Sequence, residues 1–434
     1  MNSYVITNLN SEVSKFFFNE DMTIREDNFE DLLNDFIHRH DNEDSDENND
    51  IEKDSKPYSI NDLIKQAVEN KHYPKPSDTD RQNSERFNSI INFPNFLLQV
   101  LRIVYHNWIK DNNQNSTNVE DCITLDDKNL VEIFTNVLDS VNDKRGFVLA
   151  FLHGLLRLRY FFDNYVIKRE NTADTNDKIS WSLKTLNKDR NYYLTFGEKN
   201  MQDEEDSKAG SQIKMLEAMF HVSAPTQSYK YWLLAVLYYV SENDPRQSPY
   251  DFAEYLFHLS QAYMLDQYLC EDTNKIKFFD IIFNNHAKAK NDSATVQWEK
   301  LNEGTLVPHF VFNYYDFIQW NKGKYSKFNF TYRSSVEHFY PQHPVDDNPQ
   351  LKNVDKFGNL CLISSSINSK FSNNMPKAKK ENFYIGEYGR YSIKLQELFE
   401  RTKEGVVWDE KLIDSITEEN VETIKESLSP KFHF

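Results

Sequence analysis

Glycine is scarce in this chain, and that scarcity limits the folds open to it. The 434 residues contain only 10 glycines and 13 prolines, so few positions suit the tight turns that join many short strands. This composition argues against an all-β sandwich and against an α/β enzyme with a glycine-rich phosphate-binding loop. The 32 Phe, 24 Tyr and 6 Trp supply ample material for a large core. Because one typical domain has ~100–200 residues, we expect two or three packed units.

Charge and cysteine content exclude further classes of protein. The chain carries 50 basic and 68 acidic residues, a net charge of −18, which excludes a polybasic, non-specific nucleic-acid binder. Cys122, Cys270 and Cys361 have the spacing of neither a disulfide framework nor a zinc knuckle. No stretch approaches the ~20 uninterrupted apolar residues of a membrane span, and the acidic first 30 residues do not resemble a signal peptide. We therefore expect a cytoplasmic protein.

Helical periodicity dominates the middle of the chain. Residues 1–80 are a weakly specified N-terminal segment, in which eight acids between Asp41 and Asp54 predict a disordered loop at 41–55. In residues 81–310 apolar side chains recur at helical spacing, beginning with a stripe from Phe93 to Val104 that is entered through Pro94. The pattern predicts an irregular multi-helix domain.

Four aromatic residues of one predicted helix, Tyr250, Tyr255, Phe257 and Tyr263, allow two interpretations. A stripe of this kind is more often part of a core than a platform on which nucleic-acid bases stack. A platform must be exposed to solvent, and the sequence gives no sign of that exposure. We therefore interpret the stripe as core.

The character of the chain changes near residue 310. Phe328, Phe330 and Tyr332 alternate with polar residues, which is the period-2 pattern of a strand. From Lys322 to Arg390 there are 11 basic and 6 acidic residues, a balance of +5 against −23 for the rest of the chain. The locally basic block therefore begins beside the predicted strand.

This basic block also contains the residues best suited to chemistry. Glu337 and His338 stand side by side at the end of the alternating segment, Asn359 follows a glycine before a second apolar run, and Asn368 lies on a polar segment expected to be helical. A neutral imidazole can take a proton from water near neutral pH. Carboxylate and amide oxygens suit Mg²⁺ or Mn²⁺ better than zinc. The combination is typical of phosphodiester hydrolysis.

The order and spacing of these elements resemble a known family. The pattern Glu-His-x-x-Pro-Gln from Glu337, then Gly-Asn-Leu-x-Leu from Gly358, then Asn368 with a lysine downstream, is similar to the HNH nuclease motif of GmrSD-type restriction endonucleases. The resemblance implies a small ββα-metal module at residues 311–382 and a C-terminal helical extension at 383–434. The fold implied is mainly α, with the HNH-like module near its C-terminal end.

The resemblance also assigns roles to the matching residues. His338 matches the general base, and Asn359 matches the asparagine that orients the loop and the base. Glu337 and Asn368 match the ligands of a divalent metal ion, Mg²⁺ or Mn²⁺. The last position is Asn where the simplest HNH enzymes have His, which puts the metal affinity in doubt.

Basic residues of the block are expected to hold the DNA. Lys377 matches the downstream lysine of the family, a phosphate contact, and we add Lys370, Lys379, Lys380 and Arg333 as phosphate or DNA contacts. Taken singly, each feature has a plainer explanation: the lysines as a solvated face, the Glu–His pair as a surface pair, and each asparagine as an ordinary polar residue. Their joint order and spacing favour the nuclease.

We therefore interpret the chain as a metal-dependent endonuclease that cleaves DNA, with or without modified bases, as the nuclease half of a modification-dependent restriction and antiviral defence system. The alternative is a non-catalytic helical partner subunit whose degenerate nuclease module binds DNA or protein. A metal-dependent ribonuclease would differ only in substrate. GmrSD-like proteins join the nuclease to an N-terminal ParB-like nucleotide-binding domain, whose Asp-Gly-Gln-Arg-like signature this sequence lacks. We expect that domain to be a separate partner, or missing from a truncated reading frame.

Overall fold

A computed structural model of the protein is mainly α-helical. It describes residues 87–112, 119, 123–170, 180–186, 192–197, 207–226, 228, 230–292, 294–323, 325–345, 348–383, 391–429, 432 and 434. The expectations for the N-terminal segment 1–80, its acidic loop and Cys122 lie outside these residues. None of the helices in the described ranges combines the length and apolar character that crossing a membrane requires.

Helices form most of the described residues before the motif block. Their bounds are α1 Phe93–Asp111, α2 Leu130–Ser140, α3 Lys144–Tyr165, α4 Lys208–Ser223, α5 Tyr231–Glu242, α6 Pro249–Tyr263 and α7 His309–Asn321. Helix α6 continues into a π-helical turn at Met264–Tyr268, and a second π-helical turn covers Asp280–Asn284. These bounds confirm that the apolar stripes of the sequence are helical.

The start of α1 illustrates how the sequence sets a helix boundary. The Asn92 side chain accepts a hydrogen bond from the backbone N–H of Asn95 at 2.9 Å, and Pro94 lies in the first turn, where a missing N–H has no helical partner to lose. Farther along, α1 packs against α3. A Cβ atom on Gly154 would lie 2.5 Å from Cγ2 of Val104, so this close helix crossing requires glycine.

The early strands are short. A three-stranded antiparallel sheet has the order β1 (Phe87–Asn88), β2 (Lys168–Glu170) and β3 (Ser180–Ser182), and β4 (Lys184–Leu186) pairs with β5 (Tyr192–Leu194). The indole N–H of Trp181 in β3 donates to the carbonyl of Phe330 at 2.7 Å. This bond ties the helical region to the segment that leads into the motif.

The motif block contains two paired strands followed by helices. Strand β6 (Ser335–His338) pairs antiparallel with β7 (Leu360–Ile363), with Glu337 opposite Cys361 and His338 opposite Leu360. The helices after them are α8 Ser365–Phe371, α9 Pro376–Phe383, α10 Ile393–Arg401 and α11 Glu410–Ser427. The chain order is therefore strand, strand, helix.

Strand β7 lies between two hydrophobic cores. Leu360 and Leu362 belong to the large core that the helices build, whereas Cys361 and Ile363 belong to a smaller core around Phe399. Successive side chains of a strand point to opposite faces, so β7 needs apolar residues at all four positions. The small hairpin is thus anchored on both of its faces.

The strand expected over Phe328 to Arg333 is not formed. The segment has no ladder partner among the described residues, and pairing begins only where the N–H of Ser334 donates to the carbonyl of Ile363 at 3.1 Å. Phe328 and Phe330 are nevertheless buried in the large core. The alternation therefore matches burial only at Phe328 and Phe330, because Tyr332 is exposed and Arg333 is buried.

Candidate active site at the end of strand β6

Neighbouring positions on β6 send Glu337 and His338 to opposite faces of the hairpin. Glu337 lies across from Cys361, on the face that covers the smaller core, and His338 lies across from Leu360, on the face of the large core. Both residues are buried to more than nine-tenths of their surface. Although the two residues are adjacent in sequence, their side chains contact different residues.

His338 is held by a carboxylate outside the motif. Its Nε2 atom lies 2.7 Å from Oδ1 of Asp355, which also accepts a hydrogen bond from the side-chain amide of Gln342 at 3.1 Å. A carboxylate can only accept, so the neutral imidazole carries its proton on Nε2 and keeps the lone pair on Nδ1. The pair can therefore present Nδ1 as a base in a fixed orientation.

Asp355 is positioned by a turn that belongs to the helical region. The N–H of Gly304 donates to the carbonyl of Asp355 at 3.2 Å, and a Cβ atom on Gly304 would lie 2.5 Å from Oδ1 of Asp355. Gly304 also has a φ of +60°, which favours glycine. The sequence alone did not point to Asp355, Gln342 or Gly304 as site residues. The available signal was an acid four residues before Asn359, next to the glycine turn.

Asn359 fastens the loop that follows β6. It is fully buried, and its side-chain oxygen accepts from the N–H of Tyr340 at 2.7 Å. Its amide nitrogen donates to the carbonyls of Tyr340 and Val354, both at 2.9 Å. Three hydrogen bonds to the backbone suit an orienting role, and they leave the side chain away from solvent. Its neighbour Gly358 approaches the backbone of α11 so closely that a Cβ atom would lie 2.5 Å from the N atom of Thr417.

Glu337 forms a buried ion pair with Lys379 on α9. The Nζ atom of Lys379 lies 2.7 Å from Oε1 of Glu337 and donates to the carbonyls of His338 and Phe339 at 2.8 and 3.0 Å. Burial raises the pKa of Glu337, and the lysine offsets part of that shift. Burial likewise lowers the pKa of Lys379, while Glu337 opposes the change. The lysine thus ties α9 to the backbone at His338, the candidate general base.

This placement corrects the expectation that Lys379 contacts DNA. Its side chain is 0% exposed, so no phosphate can reach it. Arg333 is also buried, with its guanidinium 5.6 Å from the centre of the Phe328 ring, and burial lowers its pKa to about 10. Both predicted DNA contacts are wrong for the same reason: a basic residue in a locally basic stretch of sequence can still have its side chain buried in the protein interior.

The other predicted contacts lie nearer to solvent. Lys370 on α8 is exposed, and Lys377 on α9 is 83% exposed, with Nζ 3.8 Å from Oε1 of Glu381. Lys380 is half-buried and donates to the carbonyl of Thr402 at 2.6 Å. Lys370 and Lys377 are thus free to approach a phosphate backbone, and Lys380 is partly committed to the protein.

Asn368 is exposed on α8, a helix that is capped by the Ser364 side chain and packs against β6. Among the described residues no three His, Cys, Asp or Glu side chains are grouped as a metal cage. The oxygen donor beside the base is the half-exposed carboxylate of Asp355. This sparse, hard donor set fits a Mg²⁺-like ion that takes most of its ligands from water and substrate phosphate. Glu337 lies on the opposite face of the hairpin, where Lys379 is its partner.

A comparison with known protein families gives a match in the part of the chain that contains the candidate site. Residues 283–422 match the family described as GmrSD restriction endonucleases, C-terminal domain. No match was found among curated proteins or among solved structures. The matched range includes β6, β7, His338, Asp355 and the helices α8 to α10. Residues 283–422 of this chain are therefore similar to the C-terminal domain of GmrSD restriction endonucleases.

Proposed function

We propose that the protein is a metal-dependent endonuclease of the HNH type that hydrolyses DNA phosphodiester bonds. The observation that carries this proposal is the His338–Asp355 pair, with 2.7 Å between Nε2 and Oδ1, at the end of a strand in a restriction-endonuclease domain. The order β6, β7, α8 is that of a ββα-metal module, which supports assigning the domain to that type.

His338 acts as the general base. Asp355 fixes the proton on Nε2, so Nδ1 takes the proton from the attacking water, and the carboxylate stabilises the imidazolium that forms. Asn359 holds the backbone at Tyr340 and Val354 in place through its three hydrogen bonds. Lys379 holds the carbonyls of His338 and Phe339. These contacts fix the base before substrate arrives, which reduces the cost of orienting it.

A divalent cation, Mg²⁺ or Mn²⁺, supplies charge neutralisation at the scissile phosphate when bound. Asp355 and Asn368 are the residues we propose as its protein ligands, with water and phosphate as the others. Glu337, which the motif assigns to the metal, is proposed as a ligand only in a state where Lys379 has moved away. In the state described here it is the counter-ion of that lysine.

We propose DNA as the substrate because the matched family consists of restriction endonucleases. Exposed Lys370 and Lys377 on consecutive helices are the proposed phosphate contacts. Given the net charge of −18, the chain alone should bind DNA weakly. We propose that a ParB-like nucleotide-binding partner supplies the remaining affinity and any selectivity for modified bases.

The main alternative is a non-catalytic partner subunit, and the buried Glu337–Lys379 pair favours it because it removes one predicted metal ligand. Nicking of supercoiled plasmid by the purified chain tests the two functions. The proposal requires nicking with Mg²⁺ or Mn²⁺, its loss with EDTA, and its loss in His338→Ala. Plasmid that stays supercoiled with either metal, with and without the partner domain, while the chain still shifts it in a gel, supports the non-catalytic subunit. Cleavage of RNA but not DNA would move the proposal to a ribonuclease.

A further inference from the structure

A second cleft lies away from the candidate active site. It has a volume of about 570 Å³ and is formed by α6, the loop after the second π-helical turn and the chain after α11. Its lining includes Tyr250, His258, Lys288, Lys290, Asn291 and Phe434. Small-molecule sites typically occupy ~300–1,000 Å³ and combine apolar walls with a few polar groups. The cleft therefore has the volume, and the mixture of apolar and polar lining residues, that are typical of a small-molecule site.

One tyrosine in this cleft has the exposure that a stacking platform needs. Tyr255, Phe257 and Tyr263 of α6 are buried or partly buried in the large core, as the sequence predicted. Tyr250 differs: it is 61% exposed, and its ring has no aromatic contact among the described residues. The interpretation of the whole stripe as core was therefore wrong at Tyr250. An exposed ring at the mouth of a cleft can take a nucleic-acid base on its face.

The walls of the cleft are fixed by the surrounding protein. In one wall the rings of Phe257 and Phe434 stack, with centroids 4.5 Å apart and planes 6° apart. The loop with the two lysines is held by Asp266, a fully buried carboxylate. It accepts from the N–H of Lys290 at 2.9 Å and from the N–H of Asn291 at 2.8 Å. Two walls of the cleft are thus held by contacts within the protein.

The backbone before this loop adopts an uncommon conformation. His286 and Ala287, both with a side chain, have φ values of 48° and 63°, a region that non-glycine residues seldom occupy. Ala287 is fully buried, and its N–H donates to the carbonyl of Ile281 at 2.9 Å. This turn directs Lys288 and Lys290, both exposed, to the rim of the cleft. Two cations therefore lie at the rim of a site with an exposed aromatic ring.

We propose that this cleft binds one unpaired nucleotide of a nucleic-acid strand, with the base on Tyr250 and its phosphates at Lys288 and Lys290. The carboxylates of Glu254 and Asp292, which also line the cleft, suit the amino groups of a base edge. They would oppose a bare anion, so a phosphate without a base is a poorer ligand. The proposal deepens the nuclease function by adding a second contact for the substrate strand.

Helix α11 connects this cleft with the candidate active site. Its first half receives the motif loop, with the side-chain oxygen of Thr417 3.0 Å from the N–H of Gly358, and its last residues lead into the cleft at Leu428. Eleven residues of helix separate Thr417 from Leu428, or ~16 Å at 1.5 Å per residue. At ~3.4 Å per nucleotide of one strand, about five nucleotides cover this axial distance. A short single strand is therefore a suitable probe.

The test measures binding of a fluorescein-labelled 12-nucleotide deoxycytidine oligomer, whose bases carry amino groups, to the full chain by anisotropy, in EDTA so that cleavage plays no part. Tyr250→Ala should weaken binding about 5- to 100-fold, and Tyr250→Phe, which keeps the ring, should restore most of it. Tyr193→Ala is the matched control, because Tyr193 is 47% exposed and lies outside the cleft. Equal affinities of Tyr250→Ala and Tyr193→Ala would overturn the proposal.

The lysines are tested separately. Lys288→Gln with Lys290→Gln should lower the log–log salt slope by up to ~1.4, at ~0.7 per contact with a single strand. The control pair Lys128→Gln with Lys144→Gln, exposed in the helical region, should leave the slope unchanged. If deoxycytidine monophosphate binds as tightly as the oligomer, the cleft holds a free nucleotide and the strand proposal is wrong. Because no metal is present, these outcomes do not depend on whether the chain cleaves DNA.

Discussion

Asp355 Oδ1 lies 2.7 Å from His338 Nε2, so the proposed base is oriented by a carboxylate 17 positions away in the chain. The two residues belong to different structural elements. His338 ends strand β6, and Asp355 lies in the loop before β7, against the turn at Gly304. The helical region therefore takes part in building the site, because it supplies that turn. This relationship determines which variants should separate catalysis from folding.

The first prediction concerns the base. His338→Ala should reduce DNA cleavage by ~10²- to 10⁴-fold, the usual contribution of general-base catalysis. Thermal unfolding of the variant should remain cooperative. His343→Ala is the matched control, because this nearby histidine is exposed and should retain cleavage. Cleavage by His338→Ala within a few-fold of the parent would remove this residue from the mechanism.

The second prediction concerns Asp355 as a positioning residue. Asp355→Ala should lower kcat by at least about tenfold, because the imidazole loses the acceptor that fixes its proton on Nε2. Asp355→Asn, which keeps a side-chain oxygen that can accept from Nε2, should retain more activity than Asp355→Ala. Asp127→Asn, a change in the helical region, is the control. Equally slow cleavage by Asp355→Asn and Asp355→Ala would mean that an acceptor at Nε2 is not what the base requires.

The third prediction separates two lysines of α9. Lys379→Met should cost about 3–5 kcal/mol of unfolding free energy, because it leaves the Glu337 carboxylate buried without its partner. Lys377→Met, at an 83% exposed position, should leave stability within about 0.5 kcal/mol. Chemical denaturation of both variants measures the difference. Combining Glu337→Gln with Lys379→Met should recover part of the loss, and a fully additive double variant would contradict the pairing.

The contrast between these lysines also shows what the sequence could and could not predict. The helices were predictable because their apolar side chains recur at 3.6-residue spacing, and the motif order located His338 and Asn359. Lys377 and Lys379 look alike in sequence, yet two helical steps place them ~200° apart around the axis. The lysine on the face of α9 that packs against Phe339 and Phe371 is the buried one. Tertiary packing, which the sequence does not reveal, decides which face that is.

Asp355 was missed for a related reason. It lies in a loop without periodicity, and its role depends on contacts with Gly304 and Gln342 that are distant or outside any repeat. Tyr250 was misassigned because an aromatic stripe does not reveal which ring lies beyond the edge of the core. In both cases the sequence located the segment of chain, and only the tertiary packing showed which residue in it is exposed or in contact with the site.

The fourth prediction concerns DNA binding near the site. Neutralising Lys370 and Lys377 together, as Lys370→Gln and Lys377→Gln, should weaken binding of duplex DNA similarly for all sequences. The log–log salt slope should fall by up to ~1.8, at ~0.9 per lost phosphate contact. The control pair is Lys128→Gln with Lys208→Gln, two exposed lysines of the helical region. A slope that stays at the parent value in the first pair would place the DNA path on another face.

The last prediction concerns pH and the buried Asp316 of α7. Burial raises its pKa from 3.8 to about 7, although Arg333 and the N–H of Lys394 oppose the shift, and the negative charge of Glu397 adds to it. A carboxyl group whose folded-state pKa is raised stabilises the fold fully below pH 3.8, and that contribution is lost as the pH rises through about 7. Asp316→Asn, which keeps a side-chain oxygen for the N–H of Lys394, should therefore flatten the pH dependence of unfolding free energy between pH 4 and 7. Urea titrations across this range measure the slope, with Asp251→Asn on the exposed side of α6 as the control. If the slopes of the two variants coincide, Asp316 is not protonated in the folded protein at pH 6.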